Sequence, residues 1–113
     1  MGGVAGPDLA VAVSAVGGLG TVALHMMPAP MVAQTLDAMS ERTSAPLAFN
    51  VLVPFVDRDA VEVASSRCRL VEFFYGDPDA ELVRIAHEGG ALAAWQVGSR
   101  ARRKQLVMPS ATL

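Results

Sequence analysis

The chain has 113 residues, of which 52% are hydrophobic and 18% are charged, so it is long enough for one small domain with a buried core and too apolar for a disordered segment. Its formal charge of -2 combines an acidic body with a basic tail, because all 11 acidic residues precede residue 100 and four of the nine basic residues lie in residues 100–104. An acidic body argues against nucleic acid as the main partner. Cys68 is the single cysteine, which excludes an internal disulfide and favours a reducing, cytoplasmic setting.

Two glycine clusters in the first twenty residues flank a predicted helix over residues 9–16. Pro7 and Asp8 are residue types favoured in the first turn of a helix, whereas Gly17 and Gly18 are typical of its end. The segment between them is apolar nearly all round, which predicts burial on more than one side. The N-terminal glycines also allow close approach of the main chain to an anion or another ligand, so the opening turn is a candidate ligand-binding turn.

No Asp, Glu, Lys or Arg occurs over residues 9–36, a stretch long enough to consider a membrane span. Three glycines and two prolines interrupt this stretch, so it does not predict one continuous helix facing lipid. The basic start that a signal peptide requires is missing as well. We therefore expect no membrane partner.

The rest of the chain alternates predicted strands with predicted helices. The predicted strands cover residues 20–24, 47–53, 70–75 and 91–97, and the helices between them cover about residues 28–42, 57–67 and 79–88. Asp57 is suited to cap the second of these helices, and Asp79 begins the third. A repeating strand and helix unit predicts an α/β fold with a parallel sheet and right-handed crossovers, either open and doubly wound or closed as a barrel. The single helix after each strand favours the barrel.

The number of predicted units is too small for a whole barrel. A complete (β/α)₈ barrel needs about 200 residues or more, whereas this chain provides about four βα units. A ligand-binding glycine turn in an α/β fold normally follows a strand, and no strand precedes the opening glycines here. We therefore expect a partial barrel domain over residues 1–99 that lacks the first strand, followed by a divergent basic tail over residues 100–113.

Five short motifs occur in a characteristic order along the chain. They are Met-Gly-Gly-Val-Ala-Gly-Pro-Asp-Leu at residues 1–9, Ala-Val-Ser at 12–14 ahead of Gly-Gly-Leu-Gly at 17–20, Phe-Asn-Val at 49–51 ahead of Pro-Phe-Val, Phe-Phe-Tyr-Gly-Asp-Pro at 73–78, and Trp-Gln-Val-Gly-Ser at 95–99. With these motifs, residues 1–99 resemble the nitronate monooxygenase family, formerly called 2-nitropropane dioxygenase, which also includes flavin-dependent enoyl-acyl-carrier-protein reductases. The resemblance implies an FMN-binding TIM barrel that oxidises alkyl nitronates or nitroalkanes with molecular oxygen.

The resemblance also implies cofactor contacts at individual positions. In the family, the turn that matches Met1, Gly2 and Gly3 lies along the flavin through its main-chain atoms. The asparagine that matches Asn50 contacts FMN from the end of a strand, and the residue that matches Gln96 ends a later strand near the same face. These five residues are the predicted cofactor-binding residues, and FMN is the predicted cofactor.

Other positions depart from the family pattern. Ser-Ala-Val at residues 14–16 stands where the family commonly has Ser-Asn-Ala, and Glu72 occupies a strand position that is usually small or apolar. A carboxylate buried there would be costly unless it is paired or protonated. Neither His25 nor His87 matches the family's catalytic histidine, and the resemblance ends after Ser99. We therefore expect a fragment with weak or no turnover, and we assign no catalytic residue.

Residue types alone leave alternatives open. Asn50 lies in an otherwise apolar strand, where its amide suits a ligand contact or an internal hydrogen bond equally well. His25 follows the first predicted strand and could act as a base, although no carboxylate partner is evident. Cys68 is interpreted as an inert core thiol, and no spacing typical of a metal site occurs. Alternative functions are a barrel fragment similar to the enoyl reductases, and a non-catalytic half-barrel that associates with itself through exposed edges.

Overall fold

The computed structural model describes residues 6–98, which form a single sheet with helices between its strands. The strands are β1 (Gly20–Ala23), β2 (Leu47–Leu52), β3 (Leu70–Phe74) and β4 (Leu92–Trp95). The helices are α1 (Pro7–Ala15), α2 (Ala29–Arg42), α3 (Arg58–Ser65) and α4 (Ala80–Glu88), and a short 3₁₀ helix, Val53–Phe55, follows β2. Each strand begins within one residue of its predicted start.

The strand order distinguishes a barrel segment from a doubly wound sheet. The order is β1-β2-β3-β4, and each strand pairs in parallel with the one before it. Right-handed crossovers that all run in one direction place their helices on one face of the sheet. Helices α2, α3 and α4 accordingly pack side by side, and α1 packs on β1 and α2. A doubly wound sheet would instead reverse its direction and carry helices on both faces.

Side chains alternate between the two faces of this sheet. The helix-covered face contains the hydrophobic core, whose strand residues are at most 5% exposed and include Val22, Phe49, Val51, Val71, Phe73 and Ala93. The opposite face carries the residues between them. In a closed barrel this second face is the interior. This opposite face of the sheet includes Asn50 on β2 and its register partner on β3, Glu72.

The glycine pair after α1 ends the helix as predicted. Gly17 has a φ of +100°, and its N–H donates to the Ser14 carbonyl at 3.1 Å. The N–H of Gly18 donates to the Val13 carbonyl at 3.0 Å. These two bonds form a Schellman motif, in which a glycine in the left-handed region satisfies the last carbonyls of a helix.

The predicted burial of α1 on more than one side is wrong for the described residues. The buried side chains are Ala10, Val11 and Ser14, and the large exposed apolar ones are Leu9, Val13 and Val16, which are 38% to 85% exposed. The reason is that α1 packs against β1, β2 and α2 on one side, while no element of residues 6–98 packs closely on its other side.

The predicted cap of α3 is confirmed, and α4, which was expected to begin at Asp79, has an equivalent cap. The Asp57 carboxylate accepts a hydrogen bond from the N–H of Asp59 at 3.0 Å, and the Asp79 carboxylate accepts one from the N–H of Glu81 at 2.9 Å. Both caps satisfy a backbone donor that the first turn of a helix leaves unpaired. They fix the points at which the chain turns back from the carboxyl edge of the sheet into the helix layer.

Candidate functional site

A cleft with a volume of about 400 Å³ opens at the carboxyl ends of β1 and β2. It forms because β1 is shorter than β2: β1 ends at Ala23, the register partner of Asn50, whereas β2 continues to Leu52 and is paired there with β3. Beyond Ala23 the chain turns away, which leaves space beside the end of β2. In (β/α)₈ barrels the carboxyl ends of the strands are where ligands bind.

The lining of the cleft is mostly apolar. Its apolar side chains come from the loop after β1, the end of β2 and the start of α3, and its polar side chains are His25, Asn50 and Asp57. A largely apolar pocket with a few polar groups is typical of small-molecule and cofactor sites, which usually have volumes of about 300–1,000 Å³. The composition of the cleft therefore suits a ligand with an extended apolar or aromatic body and a small number of polar atoms.

Asn50 is the most deeply buried polar residue of this cleft. Only 2% of it is exposed, and its Nδ2 donates a hydrogen bond to Oε1 of the half-buried Glu72 at 3.3 Å. The carboxylate that departs from the family pattern is therefore paired rather than isolated. Asn50 makes the internal hydrogen bond that its sequence context allowed, and it also lies in the wall of the cleft, where a ligand contact stays a prediction.

His25 lies in the loop after β1 and lines the same cleft. Partial burial lowers the pKa of His25 below its usual value, which favours the neutral imidazole at neutral pH. No carboxylate of the described residues forms an ion pair with its ring. The sequence indicated that His25 follows a strand, but its position in the same cleft as Asn50 depends on the pairing of β1 with β2, which the sequence does not reveal.

Sequence analysis missed a group of exposed residues at the carboxyl edge. Met26 after β1 and Tyr75 after β3 have φ values of +64° and +62°, which non-glycine residues seldom adopt. They are 85% and 74% exposed, and Phe55 after β2 is 66% exposed. Strained backbone and exposed apolar side chains are both concentrated at ligand-binding sites. Methionine and tyrosine seldom adopt a positive φ, so the residue types at positions 26 and 75 could not have identified these two residues.

Of the other predicted cofactor-binding residues, only Gln96 is among the described residues, and it does not line this cleft. Met1, Gly2 and Gly3 lie outside the described residues, as does the basic run at residues 100–104. Gln96 directly follows β4, is exposed, and donates its backbone N–H to the Phe73 carbonyl at 2.9 Å. It therefore lies at the carboxyl edge that contains the cleft, but two strands away from Asn50.

Cys68 and His87 lie away from this edge. Cys68 is 7% exposed, and burial raises the pKa of its thiol to about 12, which suits the predicted inert core residue. His87 is in the last turn of α4, where its Nε2 is buried without a hydrogen-bond partner in the described part of the chain.

Neither a metal centre nor a membrane helix occurs in the described part of the chain. Within residues 6–98 no group of three or more His, Cys, Asp or Glu side chains is placed to hold a metal ion. No helix in this range is long and apolar enough to cross a membrane.

Comparison with solved structures identifies the fold. FabK from Thermotoga maritima matches with a TM-score of 0.83 and 27% identity over 94% of this chain and 34% of that chain. A mutant of the same protein gives 0.82 and 25% over 94% and 36%. A nitroalkane oxidase from Streptomyces ansochromogenes gives 0.79 and 21% over 93% and 40%, which bears on the fold alone. The predicted α/β fold, part of a TIM barrel, is confirmed, and the chain spans 34% to 40% of the length of these proteins.

Comparison with family models and with curated sequences gives two further results. A search of curated proteins returns no match. The model of the family described as nitronate monooxygenase matches residues 1–108, which includes every motif of the resemblance and extends beyond Ser99, where we expected the resemblance to end. The chain belongs to the nitronate monooxygenase family of flavin-dependent oxidoreductases.

Proposed function

We propose that this chain supplies part of the FMN-binding site of a nitronate monooxygenase, whose substrate is a small alkyl nitronate or nitroalkane. The observation that supports this most directly is the cleft at the carboxyl ends of β1 and β2 with the buried amide of Asn50 in its wall. Apolar walls suit the flat aromatic ring of a flavin, and a single buried amide suits one of the polar atoms at the edge of that ring.

The proposed cofactor contacts come from three parts of the chain. Met1, Gly2 and Gly3 would lie along the flavin through main-chain atoms, Asn50 would hydrogen-bond to its ring, and Gln96 would contact it from the end of β4. When bound, FMN would supply the redox chemistry by accepting electrons from the nitronate and passing them to oxygen. The residues of this chain bind and orient the ring, and the apolar walls of the cleft exclude water from one side of it.

We expect this chain alone to show weak or no turnover. The sequence contains no residue that matches the family's catalytic histidine, and His25, which lines the cleft, has no partner within residues 6–98 that would orient it as a base. Because the chain contains a single cysteine, it cannot form an internal disulfide, and this supports the proposed cytoplasmic location.

Titration of the purified chain with FMN, followed by flavin fluorescence, tests the proposal. We expect saturable binding that Asn50→Leu weakens by about tenfold, since the variant keeps the size of the side chain and removes its hydrogen bond. Gln34→Leu, at an exposed amide on α2, is the matched control and should bind as the wild type does. Absence of saturable binding, or equal affinity of Asn50→Leu and wild type, would contradict the proposed site.

Oxygen uptake with a nitronate tests the chemistry separately from binding. Uptake at ordinary enzyme rates would refute our expectation of weak turnover. Oxidation of a reduced nicotinamide with an enoyl thioester, without nitronate-dependent uptake, would instead favour the enoyl-acyl-carrier-protein reductases of the same family.

Self-association is a second candidate role, and the exposed stripe on α1 favours it. Leu9, Val13 and Val16 lie on one exposed side of this helix, and β1 and β4 each have an unpaired edge in the described sheet. Exposed apolar stripes and unpaired strand edges both promote association. Size-exclusion chromatography at several concentrations decides the matter, since a monomer throughout the range would contradict it.

A further inference from the structure

The side-chain amide of Asn50 has an NH₂ group, which donates hydrogen bonds, and an oxygen, which accepts them. The structure indicates the direction of each group. Its Nδ2 donates to Oε1 of Glu72, 3.3 Å away on β3. Strands β1 and β3 flank β2 on opposite sides, and the cleft lies on the β1 side, beyond Ala23. Because Nδ2 is directed to β3, the Oδ1 of the same planar amide is directed away from β3, to the side of β2 on which β1 and the cleft lie.

The chemistry of Glu72 permits only this orientation. A carboxylate accepts hydrogen bonds and donates none, so it pairs with the NH₂ group of an amide and not with its oxygen. An asparagine without such a partner could rotate and offer a ligand either a donor or an acceptor. Within the described residues, no hydrogen bond is made to Oδ1 of Asn50, so this acceptor remains available on the side of the cleft.

We propose that Glu72 is a positioning residue, which holds the Asn50 amide so that its oxygen faces the cleft and accepts a hydrogen bond from an N–H group of the ligand. Glu72 itself does not touch the ligand. The inference rests on the proposed function where it takes FMN as the ligand, because the oxidised flavin ring carries an N–H group on its pyrimidine part. A ligand that offers only carbonyl or anionic oxygens at this position is disfavoured, because it would face another acceptor.

The orientation of the amide can be measured without any cofactor. In a ¹⁵N NMR spectrum of the full chain, the Asn50 side-chain amide is identified by its absence in Asn50→Leu. We expect one Nδ2 proton to exchange slowly with water in the wild type and in Glu72→Gln, which keeps an acceptor oxygen. This protection should be lost in Glu72→Leu and unaffected in Glu62→Leu, an exposed glutamate on α3. If both Nδ2 protons of the wild type exchange as fast as a surface amide, the proposal is overturned.

The affinity for FMN tests whether this orientation matters to a ligand. Glu72→Leu should weaken binding by about tenfold, whereas Glu72→Gln should stay within about twofold of the wild type. In an Asn50→Leu background, Glu72→Leu should cause no further loss, since Glu72 acts through Asn50. A purely structural role would lower affinity in that background as well, so additive losses, or full affinity in Glu72→Leu, would refute the positioning role.

Two controls keep the outcome decisive. Glu72→Met, which retains an unbranched side chain, replaces Glu72→Leu if the latter does not fold. If the wild-type chain does not bind FMN, the proposed function fails, whereas the exchange rate of the Asn50 amide still decides whether Glu72 orients it.

Discussion

The contact between α1 and the start of β1 should tolerate no added methyl group at Gly20. A Cβ at this position would lie 1.8 Å from the carbonyl oxygen of Ala10, 2.6 Å from its carbonyl carbon and 2.7 Å from Oγ of Ser14. The two closest atoms belong to the backbone of a helix, so no change of side-chain rotamer relieves the overlap. In Gly20→Ala, α1 must therefore move away from the sheet, by at least 1.2 Å if the closest contact is to reach 3.0 Å.

Such a shift would also disrupt the hydrogen bonds that join α1 to the sheet. Ser14 is 2% exposed, and its Oγ accepts from the N–H of Gly20 and donates to the carbonyl of Pro46, both at 2.8 Å. Each bond contributes about 0.5–1.5 kcal/mol, and overpacking in a close-packed interior costs about 1–3 kcal/mol. We therefore expect Gly20→Ala to lower the free energy of unfolding by about 2–6 kcal/mol, a large part of the stability of a small domain.

Urea unfolding followed by circular dichroism measures this loss. Gly98→Ala is the matched control, because a Cβ there meets no atom within 4 Å, and it should unfold as the wild type does. Ser14→Ala removes both hydrogen bonds without the overlap and should lose about 1–3 kcal/mol. If Gly20→Ala unfolds within about 0.5 kcal/mol of Gly98→Ala, the change is no larger than that of an ordinary surface substitution and the steric argument is refuted.

Three other substitutions or probes report on the site and the core. Asn50→Asp replaces the hydrogen bond to Glu72 by the repulsion of two carboxylates. It should therefore cost about 1–3 kcal/mol in urea unfolding at pH 8, and a loss below about 0.5 kcal/mol would contradict the contact. Burial raises the pKa of Cys68 to about 12, so a disulfide reagent at pH 8 should react slowly with the folded chain and rapidly in urea, and equal rates would exclude a buried thiol. Because the thiol pKa of Cys68 is higher in the folded chain, the free energy of unfolding should fall as the pH rises above the pKa of the unfolded thiol, which is about 8.5. Trp95→Phe removes the hydrogen bond from Nε1 to the Gly76 carbonyl at 2.9 Å and should lower the thermal midpoint through a loss of about 0.5–1.5 kcal/mol, whereas an unchanged midpoint would show that the bond contributes nothing.

The alternation of strands and helices could be predicted because the residues that delimit it act locally. Gly17 ends α1 through its own positive φ, and Asp57 and Asp79 accept hydrogen bonds from residues two positions further along the chain. These signals depend on the conformational preferences of a few adjacent residues. They are therefore visible in the sequence, and the start of each strand is predicted within one residue.

The geometry of the candidate site could not be predicted in the same way, because it depends on strand register. Asn50 and Glu72 are 22 positions apart, and they meet only because β2 and β3 pair in parallel with these two residues opposite each other. The cleft likewise exists because β1 ends opposite Asn50 while β2 continues. Register arises from the packing of whole strands, so the sequence indicated Asn50 as a candidate and Glu72 as an anomaly without relating them. The proposed contacts of Met1, Gly2 and Gly3 remain predictions.

The wrong prediction for α1 has a physical explanation in the geometry of barrels. The apolar character of this helix on nearly all sides predicted neighbours on more than one side, and the described residues provide them on one side only. When all helices pack on the outside of a closed barrel, each helix lies between two others, as α3 lies between α2 and α4 here. The exposed stripe of Leu9, Val13 and Val16 is therefore the surface that a second neighbouring helix would cover in a closed barrel. In the proposed self-association the same stripe would form the contact between two copies, so barrel closure and self-association would compete for one surface.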